Sequence, residues 1–109
     1  MTDLETLRAA AEYLKDQPRT PCDPYPNYDG RVIAALNTLP PDYDYLAHHE
    51  KIADKPIEKL TLAELATMYT FLQRGERFCD GHIAAYIKDG TLYKLVKRQQ
   101  ELLVDVPVR

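Results

Sequence analysis

Prolines cut this chain into segments whose apolar residues recur at helical spacing. Pro18 closes one such segment, Pro40 and Pro41 a second and Pro56 a third. A proline lacks the N–H that a helix interior or a central strand needs, so each marks where a regular element must stop. Outside the proline-rich stretch at residues 17–28, the pattern between these stops is helical.

Thr2 is a good N-cap and Glu5 stands three residues on, which makes a capping box. Leu4, Leu7, Ala11 and Leu14 follow on one face, and the helix should end near Asp16. Residues 17–28 hold Pro18, Pro21, Pro24 and Pro26 with Tyr25 and Tyr28 among them, which forces extended or turn backbone. The plain reading is a rigid connector whose tyrosines pack on the domain, and the functional one is a polyproline ligand for a partner's aromatic groove. Asp29-Gly30 opens a second helix through Leu39, with Val32, Ile33, Leu36 and Leu39 inward. Asp42 caps a third, with Tyr43, Leu46 and Ile52 toward the core.

The fourth helix has the clearest signals. Thr61 and Glu64 form a second capping box, and Leu62, Leu65, Ala66, Tyr69 and Leu72 make the apolar stripe. Gly75 stands where a left-handed C-terminal residue belongs. A fifth helix starts at Asp80, presents Ile83, Ala84, Tyr86 and Ile87, and ends at Gly90. Thr91 caps a sixth, with Leu92, Leu95, Val96, Gln99 and Leu102 along one side. The tail, residues 104–108, alternates and reads as a short strand or a frayed end. These segments predict one all-α domain over residues 1–109, five to six helices packed as hairpins with a Pro/Tyr-rich loop after the first.

A chain of 109 residues can bury a core without a metal or disulfide staple. No apolar run approaches the roughly 18 residues of a membrane span, and the acidic, polar N-terminus is unlike a secretory signal. The expectation is a cytoplasmic protein whose Cys22 and Cys79 are reduced thiols. The net charge of −3 argues against general nucleic-acid binding. Charge is unevenly placed, however. Residues 1–73 carry seven basic and twelve acidic side chains, whereas residues 74–98 carry six basic and three acidic.

That basic segment begins at Arg74-Gly75-Glu76-Arg77-Phe78-Cys79-Asp80-Gly81-His82, the densest run of functional groups in the chain. Most of it can be read structurally. Gly75 supplies positive φ, Phe78 plugs the core at the corner, Asp80 caps the next helix, and Arg77 pairs with a neighbouring carboxylate. The catalytic alternative is Cys79 activated at a helix N-terminus with His82 as base. A metal alternative would draw on His48, His49, Glu50, Cys79, Asp80 and His82. Adjacent histidines on a helix point about 100° apart, no C-x-x-C or H-E-x-x-H is present, and a solvated face carrying two histidines accounts for the first three. Asp42 and Asp44 sit in a tyrosine-rich loop and read as solvated carboxylates. Lys94, Lys97 and Arg98 form one patch on the last helix, either a solvated face or a phosphate-contacting one. The chain contains no serine and no glycine-rich phosphate loop.

The run at residues 74–82 resembles a signature of the form R-G-E-R-F-x-D-G-H in an uncharacterised family of small bacterial proteins. A second stretch of that family, I-x-x-G-x-L-x-x-L-x-x-R, is similar to Ile87, Gly90, Leu92, Leu95 and Arg98 here. The resemblance spans about residues 60–103 and implies no activity.

The function expected from these readings is a small, non-enzymatic binding protein of the bacterial or phage cytosol, with another protein as partner and no cofactor. Its candidate surface comprises Arg74, Glu76, Arg77, Asp80, His82, Lys94, Lys97 and Arg98. Eight tyrosines, amphipathic and suited to interfaces, support that class. The rivals are an inhibitor of phage type docking on a host protein, a small enzyme using Cys79 and His82, and a nucleic-acid binder using the last helix.

Overall fold

The computed structural model describes residues 2–16, 28–79 and 81–104. These residues form six α-helices: α1 (Asp3–Lys15), α2 (Gly30–Leu36), α3 (Tyr45–Ile52), α4 (Leu62–Phe78), α5 (His82–Lys88) and α6 (Thr91–Val104). A single 3-10 turn, Ile57–Lys59, leads into α4. The fold is all-α, as the periodicity predicts, and its radius of gyration is 13.5 Å.

Both capping boxes form. The Thr2 hydroxyl accepts from the Glu5 N–H, the Thr61 hydroxyl accepts from the Glu64 N–H, and each glutamate reaches back to the cap backbone. Two of the four free N–H groups at each helix start are thereby satisfied. Asp29 caps α2 through Arg31, and its carboxylate also grips the Arg31 guanidinium at 2.8 Å.

The helices share one core. Leu7, Ala10 and Leu14 of α1 meet Val32, Ala35 and Leu36 of α2, Leu65, Tyr69 and Leu72 of α4, Ile83 and Ile87 of α5, and Leu92, Leu95 and Val96 of α6. Helix α1 packs on α2 and α6, α5 bridges α4 and α6, and α3 lies along α4. One polar chain crosses this interior. The Tyr69 hydroxyl donates to Gln99 Oε1 at 2.6 Å, and Gln99 Nε2 donates to the Thr38 hydroxyl at 2.9 Å. Burial pushes the Tyr69 phenol up, so it stays a donor.

Several local expectations are corrected. Helix α2 stops at Leu36 rather than Leu39, because Asn37 and Thr38 turn their groups back onto its last carbonyls. Leu46 and Tyr43 point outward, 70% and 84% exposed, because α3 meets only α4 closely and buries only Ile52 fully, and Ile33 of α2 is exposed as well. Asp42 does not cap α3, whose first turn has no side-chain cap. Helix α4 runs past Gly75 to Phe78. Thr91 is itself the first residue of α6, and Asp89 accepts from its N–H. Gly90 does end α5 with φ +84°. The proline-tyrosine segment at 17–27, Asp80 as a cap, and the tail at 105–109 lie outside the described residues.

Candidate functional site

Two surface features carry the chemistry: the α4–α5 corner singled out by the sequence, and a cleft between α3 and α4.

At the corner, Gly75 is helical and faces α5. A Cβ placed on it would lie 2.3 Å from the His82 ring, so glycine is required here by close approach rather than by positive φ. One residue on, Glu76 faces the start of α5. Its carboxylate accepts from the Gly81 N–H at 3.0 Å, the Ile83 N–H at 2.9 Å and the Tyr28 hydroxyl at 2.8 Å. The Tyr28 oxygen in turn accepts from the Ala84 N–H at 3.1 Å. Glu76 and Tyr28 thus cap α5 from outside, a task its N-cap Gly81, at φ +90°, has no side chain to perform.

This geometry decides where Phe78 goes. Each helical residue turns about 100°, so Phe78 lies about 200° round from Glu76. It is 87% exposed and does not plug the core. Arg77 and Cys79 are exposed beside it. Neither Arg74 nor Arg77 makes an ion pair among the described residues.

His82 turns the other way. Its ring stands edge-on to Phe71 at 5.1 Å and to Tyr86 at 5.2 Å, while Phe71 stacks flat on His49 at 3.9 Å. The His82 Nε2 is buried without a hydrogen-bond partner. The His82 backbone N–H donates to the Cys79 carbonyl at 3.1 Å, but no side-chain hydrogen bond joins imidazole and thiol, so the catalytic alternative finds no pairing in this geometry. His49 is part of this ring cluster rather than of a solvated face, and burial lowers its pKa. Among the described residues no three of His, Cys, Asp and Glu gather as metal ligands would.

The cleft centres on Asp42. Its Oδ2 accepts from the Thr67 hydroxyl at 2.6 Å and faces His48 Nδ1 at 2.7 Å, and its Oδ1 accepts from the Asp44 N–H at 3.0 Å. Its own N–H donates to Thr70 at 2.9 Å. The Thr67 and His48 contacts hold the Asp42 carboxyl below its ordinary range against a smaller opposing effect of burial. An ionised Asp42 makes His48 Nδ1 the donor and leaves Nε2 outward, 3.8 Å from Asp44. Beside this pair opens a cleft of about 490 Å³ walled by Pro40, Pro41, Ile52, Ala63 and Ala66, with Lys51, Thr67 and Glu64 also lining it. Glu64 is bound to Lys55 at 2.6 Å, which keeps its carboxyl low.

Lys94, Lys97 and Arg98 do share one face of α6, yet that face is mixed. Arg98 donates to the Leu60 carbonyl at 2.9 Å and lies 3.6 Å from Glu101, and Glu58 borders the same shallow depression. Of the residues expected to form one surface, Glu76 and His82 are turned into the corner, Arg77 faces out at it, and the α6 cations lie on a separate depression. The Asp42–His48–Thr67 group was not anticipated. An Asp six residues before a His in a tyrosine-rich loop offers no signal, and Thr67 joins from another helix.

Fold and surface together define a small all-α helical-hairpin domain. The chain belongs to a family of unknown function (DUF6508), whose model matches residues 2–105. The match takes in α1 to α3 as well as the α4–α5 corner and α6 up to its last residue. No curated protein and no solved structure matches the chain. No helix among the described residues is long and apolar enough to cross a membrane.

Proposed function

We propose that this protein is a non-enzymatic binding module that docks on another protein through the α4–α5 corner. The observation that carries this reading is Phe78, a large aromatic 87% exposed beside Arg77 on the last turn of α4, next to the start of α5 that Glu76 and Tyr28 hold in place. Aromatic and arginine side chains dominate interface energetics, and a surface already ordered loses little freedom on docking. In this reading the protein works in the bacterial cytosol, and Cys79 is a reduced rim residue of the interface.

A photo-crosslinking residue placed at 78, with Tyr43 as a control position equally exposed, tests it. The expected result in the native host is a discrete crosslinked product from position 78 that is absent from position 43 and weakened by Arg77→Ala. The same products from both positions, or none from 78, would overturn it.

A further inference from the structure

A second site lies well away from that corner: Thr67 and Phe78 are separated by about 16 Å of helix α4. We propose that the cleft between α3 and α4 binds a small amphipathic carboxylate. Its apolar body would rest against Pro40, Pro41, Ile52 and Ala63, and its carboxylate would meet Lys51.

The cleft has the size of a small-molecule site, about 490 Å³, where such sites run from roughly 300 to 1,000 Å³. Its walls are proline rings, an isoleucine and alanine methyls, so the body of an occupant must be apolar. The sign of the charged end follows from which groups are already used. Asp42 is surrounded by three donors, from Thr67, His48 and the Asp44 backbone. Glu64 is neutralised by Lys55 and also accepts from the Thr61 N–H. Both carboxylates that line the cleft are therefore engaged, and a cationic ligand would have to displace one of their partners. Lys51 lines the cleft and makes no ion pair or hydrogen bond among the described residues. His48 is held by Asp42 through Nδ1, so that donor is already used. The unspent polarity of the cleft is thus the Lys51 ammonium, which a carboxylate suits.

The probe is 4-phenylbutyrate, compared with 4-phenylbutanol and 4-phenylbutylamine, which carry the same body with a neutral and a cationic end. Amide chemical shifts of the full chain report the site. Millimolar 4-phenylbutyrate should move the amides of Lys51, Ile52, Ala63 and Thr67, and should bind about tenfold more tightly than the alcohol, roughly what one charge-assisted contact contributes. Lys51→Met should abolish that tenfold preference and leave the alcohol unaffected, while Ala63→Leu should block all three by filling the cleft. Lys51 and Ala63 are both exposed, so both variants keep the fold. Equal binding of acid, alcohol and amine, shifts scattered outside the cleft, no shifts at millimolar probe, or binding unaffected by Ala63→Leu would each overturn the proposal.

Discussion

At the scale of single residues, Gly75 shows how one side chain is excluded by another seven positions later. The His82 ring occupies the space a Cβ would need, and it is held there by Phe71 and Tyr86. Two effects oppose each other in Gly75→Ala. Helix propensity favours alanine by about 1 kcal/mol. Forcing a methyl into occupied space costs about 1–3 kcal/mol. The clash should win, so Gly75→Ala should lower stability by about 1 kcal/mol in chemical denaturation. In a His82→Ala background the ring is gone, and the same substitution should become stabilising by about 1 kcal/mol. A loss that persists without the His82 ring would place the strain elsewhere.

At the scale of elements, α5 is seven residues long and cannot stand on its own propensity. It depends on Glu76 and Tyr28, which occupy the free N–H groups of its first turn. Glu76→Ala should leave two backbone donors and the Tyr28 hydroxyl without their acceptor, costing about 1.5–3 kcal/mol. The Ile83 amide should exchange with solvent faster by a comparable free energy. Unchanged protection at Ile83 would mean that α5 is held by its buried Ile83 and Ile87 alone. The same element explains what could be read from sequence and what could not. Capping boxes and apolar stripes involve residues three or four apart, so Thr2, Thr61 and the faces of α1, α4 and α6 were legible. The end of α4 was not, because Gly75 reads locally as a terminator while α5 packs against it as part of a continuing helix. The Tyr28–Glu76 contact joins residues 48 positions apart, and Asp42–Thr67 joins residues 25 apart. No local pattern announces either, so the corner was located in the sequence while the true roles of Glu76, Phe78 and His82, and the whole cleft, were hidden in the packing. Glu76, which the sequence places on a candidate binding surface, is the cap of the next helix.

At the scale of the whole molecule, these placements set the pH response of folding. His49 is a base whose folded pKa lies below its ordinary 6.5, because its partial burial penalises the charged form. Between that folded value and 6.5 the unfolded chain binds more protons than the native one, so stability falls as pH falls through this window. Asp42 and Glu64 act lower on the scale. Their folded pKa values lie below the ordinary 3.8 and 4.5, held there chiefly by Thr67 and His48 for Asp42 and by Lys55 for Glu64. The stability they contribute is fully present above those ordinary values and is lost as pH drops through the folded ones. Melting temperature should therefore decline in two stages on acidification from about pH 7, one beginning near pH 6.5 and a second below about pH 4.5. His49→Phe keeps an aromatic ring against Phe71 and removes the titrating group, so it should flatten the first stage and leave the second. Asp42→Asn should flatten part of the second and leave the first. If His49→Phe reproduces the wild-type profile from neutrality down to the carboxylate range, the first stage belongs to another group. The α3–α4 contact would then not be the part of the fold that acid loosens first.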